Sequence, residues 1–289
     1  MVISASRRTD IPAFYMPWFM EGISRGEFEV RNPYNRRVAR IAATSPPVHT
    51  IVFWSKNFGA FLERGYGRRL QEMGYHLYFQ FTINSENRLL EPNLPGLDQR
   101  LKQLQQLCDQ FGPRAVNWRF DPICFYRSRG ASLRSNLDDA DRIAAAAAGA
   151  GIRGCITSVM DPYAKIGRRT ALLREFSFVD PPREYKIRAL LELERRLAAH
   201  RIRLSTCCES ELLTALPAHS SIRAGACIPS ELFMELYGGT LSTQRDGGQR
   251  VKAGCGCRVS VDVGSYDRQR CRHGCLYCYA SPADKTSGV

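Results

Sequence analysis

The sequence predicts an α/β fold, a single parallel β/α barrel that is full or partial. Short β-branched or apolar runs alternate with amphipathic stretches almost from end to end, which suits strand–helix units. Six to eight such units fit the 289 residues, with no internal repeat and no low-complexity linker to divide them. Nearly every expected strand is followed by polar or thiol side chains, as befits a shared rim at the strand ends.

In chain order, the first strand is VISAS at 2–6. Asp10 followed by Ile11-Pro12 then starts a helix carrying Phe14, Tyr15, Trp18 and Phe19, with proline in its first turn. Residues 27–43 read as a hairpin excursion around Asn32-Pro33-Tyr34-Asn35. TIVFW (50–54) and HLYFQFT (76–82) are the next strands, and Leu97, Leu101, Leu104, Leu107 and Phe111 keep helical spacing through 97–111. AVNWRF (115–120) is a strand, and Asp138, Asp139 and Asp141 precede an alanine run at 144–148 as at a helix start. GCITSV (154–159), a helix over 184–199 with Ile187, Leu190, Leu191 and Leu197, and RLSTC (203–207) follow. Two weaker strands, IRAGA (222–226) and VSVDV (259–263), complete the set. The organisation expected is a barrel body over 1–254 and a cysteine-rich segment, 255–289, that closes it.

Composition limits the classes available. A 44% hydrophobic share with 10% aromatics supports a real core. No run approaches the ~20 apolar residues of a membrane-spanning helix. MVISASRRTDIP has no basic segment leading into an apolar one, so the expectation is a cytoplasmic protein that meets no membrane. The formal charge of +13 comes from arginines spread along the chain, which permits an anionic substrate or nucleic acid without establishing either.

Eleven cysteines in a large chain of this kind point to metal rather than disulfides. Cys108, Cys124 and Cys155 stand alone in apolar surroundings and read as small buried hydrophobes. Cys271, Cys275 and Cys278 form a C-x3-C-x2-C motif in which Gly274 permits a tight turn. Three thiolates supply three positions of a [4Fe–4S] cube and leave one iron open. The alternative is zinc held by Cys271, His273, Cys275 and Cys278, although the one-residue gap between Cys271 and His273 is cramped.

At Cys271-x3-Cys275-x-Tyr277-Cys278 the sequence resembles the radical S-adenosylmethionine (SAM) superfamily. That resemblance implies a TIM-like β/α barrel, and a cluster whose open iron binds the amino and carboxylate groups of SAM. It implies one-electron cleavage of the sulfonium to a 5′-deoxyadenosyl radical, an electron donor such as flavodoxin or ferredoxin, and Tyr277 near the adenine. The cluster loop normally follows the first strand; here it comes last, as in a circularly permuted barrel with VISASRR as the next strand. The superfamily's Gly-Gly-Glu contact has no clear counterpart, so Arg7, Arg8 or Asp10 are the candidates to bind the cofactor. The whole chain also resembles the DUF1848 family, through Ile3–Pro12, Val52-Phe53-Trp54-Ser55-Lys56-Asn57 and the block from Cys255 to Ala280. That family brings no substrate.

A second thiol set, Cys255-Gly-Cys257 with Cys227 and one of Cys207 or Cys208, suits a second [4Fe–4S] cluster or a zinc ion. Strand alternation puts Cys207 and Cys208 on opposite faces, and Cys207 is the one chosen. Among the strand exits, Lys56, Arg119 and Asp121 join Arg7, Arg8 and Asp10 as candidate catalytic residues. Each has a plainer role: an Arg119–Asp121 ion pair, or a helix cap after Lys56. Glu209 is an acid–base candidate or a helix N-terminal carboxylate. The competing class is a metal-stabilised basic protein that binds nucleic acid without turnover. A hybrid is a DNA-lesion lyase, since Tyr277-Cys278-Tyr279 resembles spore photoproduct lyases.

Overall fold

In the computed structural model, which describes residues 1–32, 35–128 and 132–280, eight strands hydrogen-bond side by side in one parallel sheet. Strands β1 (Val2–Ala5), β2 (Glu27–Arg31), β3 (Val38–Ala42), β4 (Thr50–Ser55) and β5 (His76–Thr82) occupy the first third. β6 (Val116–Ile123), β7 (Phe125–Ser128), β8 (Arg134–Ser135), β9 (Gly154–Val159) and β10 (Phe176–Phe178) lie in the middle. β11 (Arg203–Thr206), β12 (Arg223–Ala224) and β13 (Val261–Asp262) complete the strands. The helices are α1 (Ile11–Phe14), α2 (Met16–Arg25), α3 (Gly59–Glu63), α4 (Tyr66–Glu72) and α5 (Leu97–Phe111). They continue with α6 (Ala140–Gly149), α7 (Ala164–Thr170), α8 (Arg183–Ala199), α9 (Ser210–Thr214) and α10 (Ser230–Tyr237).

The sheet order is β12-β11-β9-β6-β5-β4-β1-β13. From β1 to β12 the strands lie in chain order, and the exception is β13, which pairs with the first: Ile3 faces Val261 and Ser4 faces Asp262. All eight expected strands are present, with the two weak ones reduced to two residues each. Arg258 N donates to the Ile228 carbonyl at 3.0 Å, linking the segment before β13 to the one after β12.

Several details differ from the sequence expectations. The helix from Asp10 is two helices, because Pro17 lacks an amide donor and is tolerated in the first turn of a helix but not in its interior, so the chain breaks at Tyr15 and a new helix starts at Met16. Ala115 belongs to a 3₁₀ turn, and β6 runs on to Ile123. β7, β8 and β10 form a separate antiparallel sheet in which Phe176 stacks on Tyr126 at 5.6 Å. Its pairing joins segments some 50 residues apart, which local periodicity does not report. The excursion is an antiparallel hairpin, Glu27–Arg31 against Val38–Ala42; Pro33 and Tyr34 at its tip lie outside the described residues.

Period-two alternation gives the main sheet two different faces. One face carries Ile3, Ile51, Phe53, Leu77, Phe79, Phe81, Trp118 and Phe120, buried under helices. The other begins apolar, with Val2, Val52, Tyr78 and Ile156 against Phe233 of α10. Toward the strand ends it turns polar, with Ser4, Gln80 and Arg119. Gln80 Nε2 on β5 reaches the Cys227 carbonyl beyond β12 at 2.5 Å, so the sheet curls around this inner face.

Phe79 is fully buried among Phe53, Phe58, Phe61 and Phe111. Phe79→Ala is expected to lower unfolding free energy by about 3–5 kcal/mol in urea titration. Leu172→Ala, at a side chain 79% exposed, should stay within about 0.5 kcal/mol of the parent.

Candidate functional site: two thiol sets at the strand ends

Two carboxylates organise the rim. Asp262 on β13 accepts from Ser4 Oγ (2.9 Å), Ser6 Oγ (2.6 Å), Arg7 N (2.7 Å) and Gly264 N (3.1 Å). Asp10 accepts from Ala13 N (3.0 Å), Ser55 Oγ (2.7 Å) and Lys56 N (2.9 Å), which caps α1 and ties it to the end of β4. Its Oδ2 also lies 2.7 Å from His273 Nε2, inside the C-x3-C-x2-C loop.

That loop is held at many points. Tyr15 Oη donates to the Arg270 carbonyl (2.6 Å), Asn93 Nδ2 to Arg272 (3.0 Å), and Leu276 N to Leu90 (2.9 Å). Arg169, on α7, donates to the carbonyls of Cys275 (3.0 Å), Leu276 (2.8 Å) and Cys278 (3.1 Å). Tyr279 Oη donates to the Arg7 carbonyl at 3.1 Å. Gly274 turns the loop with φ +69°, a conformation costly for other residues. Cys275 is 4% exposed, and Cys271 and Cys278 are half-buried. Burial, then the nearby Asp10 carboxylate, pushes the Cys271 thiol up to about 12; burial also raises Cys275.

Behind the loop is a buried polar group that sequence reasoning did not single out. The Tyr277 hydroxyl donates to Glu91 and accepts from Asn84 Nδ2 at 3.0 Å, so its ring anchors the loop inward. Lys56 Nζ reaches Glu91 Oε1 at 2.8 Å and sits 5.3 Å from the centre of the Tyr277 ring. Arg100, 1% exposed, stands 3.7 Å from Glu91 Oε2. Burial opposes the charged carboxylate, but Lys56 and then Arg100 outweigh it and hold Glu91 below the ordinary range. Glu91 and Arg100 carry no motif; only their position beneath the loop marks them.

The second set brings five thiols together. Cys207 Sγ lies 3.6 Å from Cys208 Sγ and 3.7 Å from Cys227 Sγ. Cys255 and Cys257 are buried in the same cluster as Cys227, with Cys207 and Cys208 packed against it. The expectation that Cys207 and Cys208 diverge is corrected. β11 ends at Thr206, and Cys208 adopts φ +62°, which swings its thiol back beside its neighbour. Gly256 leaves room for this convergence, since a Cβ there would meet the Gly225 carbonyl at 2.9 Å. Among the described residues no group of three or more His, Cys, Asp or Glu donors holds a metal ion as it stands. Cys108 and Cys155 are buried in the main core, whereas Cys124, read from the sequence as an isolated apolar thiol, is buried in the same cluster as Cys275 and Tyr277, with Cys278 packed against it.

The remaining candidates fall into pairs. Arg119 is ion-paired with Asp121 and donates to Cys227 Sγ at 2.5 Å, and Asp121 also accepts from Ser158. Arg7 and Arg119 stack over the Trp54 ring at 5.1 and 5.4 Å. Arg8 donates to the Gly264 carbonyl at 3.0 Å, a structural clasp. Burial raises the Glu209 carboxyl to about 7, while its oxygen accepts from Val159 N at 2.8 Å. No helix among the described residues is long and apolar enough to cross a membrane.

A parallel eight-stranded α/β sheet with two thiol sets at its strand ends defines the class of this protein. Residues 2–280 match the family model described as a domain of unknown function (DUF1848), and the chain belongs to that family. No curated protein matches it.

Arg169→Ala removes three donors from the loop. Faster hydrogen exchange at 275–278 and faster modification of Cys275 are expected by mass spectrometry, with α5 unchanged. Because the Glu91 carboxyl is depressed in the fold, its contribution is present above its unfolded value and lost as pH falls through the folded one. Glu91→Gln should therefore cost about 3–5 kcal/mol at pH 7 in urea melts, and progressively less below about pH 4.

Proposed function

We propose that this protein is a radical S-adenosylmethionine enzyme, with Cys271, Cys275 and Cys278 holding a [4Fe–4S] cluster. The observation that carries this reading is the loop's attachment. It is fixed at the ends of parallel strands, beside β1, by Asp10, Arg169, Asn93 and Tyr15. A tail would be too mobile for radical chemistry; a rim loop pinned on several sides is not. The donor set fits the cluster: three free thiols on one loop, one buried and two half-buried. When bound, the cluster supplies the electron that cleaves the SAM sulfonium to a 5′-deoxyadenosyl radical.

The chain's own residues then have assignable roles. Asp10 and Arg169 position the loop, and Tyr277 anchors it through Glu91. Arg7, whose Nη2 is buried without a hydrogen-bond partner among the described residues, is the donor assigned to the cofactor's carboxylate. Arg8 is engaged by Gly264, and Lys56, Arg119 and Asp121 are paired, so they shape the rim. In this reading the curled sheet is a permuted β/α barrel, supported by the Arg258–Ile228 link between its ends. The second thiol set is a further metal centre.

One observation favours a second reading at the loop. His273 Nε2 faces the Asp10 carboxylate while its Nδ1 is buried without a hydrogen-bond partner among the described residues. Metal-ligating histidines are commonly oriented in this way. Zinc held by Cys271, His273, Cys275 and Cys278 would make the centre structural.

Anaerobically reconstituted, dithionite-reduced protein is expected to release 5′-deoxyadenosine from SAM, and Cys275→Ala to lose at least a hundredfold of that release. No release, with zinc and no iron bound at the loop, would establish the structural reading instead.

A further inference from the structure

The two thiol sets are built differently. Cys271, Cys275 and Cys278 share one loop, with no sulfur–sulfur hydrogen bond between them among the described residues. In the second set the sulfurs lie close together: Cys207 Sγ stands 3.7 Å from Cys227 Sγ and 3.6 Å from Cys208 Sγ, and Cys227, Cys255 and Cys257 are buried in one cluster with Cys207 and Cys208 packed against it. Cys208, past the end of β11 with φ +62°, is half-buried, whereas Cys227, Cys255 and Cys257 are buried.

These separations discriminate between metal centres. A divalent ion with metal–sulfur bonds of about 2.3 Å in a tetrahedron sets its sulfurs about 3.8 Å apart. In a [4Fe–4S] cube each cysteine sulfur binds a different iron, so the sulfurs stand well apart. The 3.7 Å contact between Cys207 and Cys227 matches the edge of a tetrahedron around one ion. We therefore propose that Cys207, Cys227, Cys255 and Cys257 bind a single zinc-class divalent ion as a tetrathiolate site, with Cys208 a spare thiol outside the coordination shell. This deepens the second-centre part of the reading above and stands apart from SAM cleavage.

The surroundings supply what such a site needs. Four thiolates around a divalent ion leave two negative charges. Arg119 already donates to Cys227 Sγ at 2.5 Å, and the guanidinium of Arg7 faces Cys257. The thiols do not yet enclose an ion, so binding requires side-chain rotation from their present contacts. The ligands come from the ends of β11 and β12 and the segment leading to β13, so the ion clasps the two ends of the sheet together.

The test uses the full chain with Cys271, Cys275 and Cys278 all changed to alanine, so that metal at the loop does not contribute. Elemental analysis is expected to find about one zinc per chain. Cobalt(II) added to the metal-free protein should give the strong visible absorption of a tetrahedral thiolate site, saturating at one equivalent. Adding Cys208→Ala should leave this unchanged, whereas Cys227→Ala or Cys257→Ala should abolish it. About four irons per chain, or no metal with the chain still folded by circular dichroism, overturns the proposal. Loss of the cobalt signal in the Cys208→Ala variant overturns the ligand assignment. If the triple variant does not fold, the same cobalt titration on metal-free parent chain decides the matter: a second thiolate site shows as a second equivalent, and its absence overturns the proposal.

Discussion

The carboxylate of Asp262 is the constraint on which the rest of the rim depends. It sits on the last strand yet takes its hydrogen bonds from Ser4, Ser6 and the Arg7 amide at the end of the first. A half-buried carboxylate with several donors is worth more than a neutral hydrogen bond, and leaving those donors unmet would be costly. The interaction brings a two-residue strand, too short to define its own register, to a fixed place beside β1. Everything that follows β13, including the C-x3-C-x2-C loop, inherits its position from that pairing.

Asp10 continues the same logic one layer further out. A single carboxylate meets α1, the end of β4 and His273, so three separate segments share one electrostatic centre. Glu91 does the same beneath the loop with Lys56, Arg100 and Tyr277. Glu91 is met by two cations, Lys56 and Arg100, and Asp10 by several hydrogen-bond donors, which is how buried carboxylates are kept from unfolding a protein. The net charge of +13 therefore does not describe the rim; there, Lys56 and Arg119 each face a carboxylate and Arg8 stands near Asp262.

The strands were legible because each core face needs a period-two apolar pattern, and a segment such as HLYFQFT satisfies it locally. Helix α5 was equally legible from its leucines. The break at Tyr15 was available from Pro17 but is outvoted by the aromatic stripe if periodicity alone is followed. β7, β8 and β10 were not legible, since they are short and the pairing of β10 with β7 is long-range. The cysteines announced two sites by spacing and clustering. The fifth thiol did not announce itself, because strand alternation ends at Thr206 and the left-handed backbone of Cys208 is a tertiary outcome.

By itself the sequence determined the α/β class, the eight parallel strands and the residue types at their ends, since these follow from local periodicity and composition. Only the tertiary structure decided which ends meet. It set β13 beside β1, gathered Cys207, Cys208, Cys227, Cys255 and Cys257 into contact, and brought Glu91, Arg100 and Arg169 to the cysteine loop. Those choices depend on matching buried charges and donors between segments far apart in the chain, and no local pattern encodes such a match.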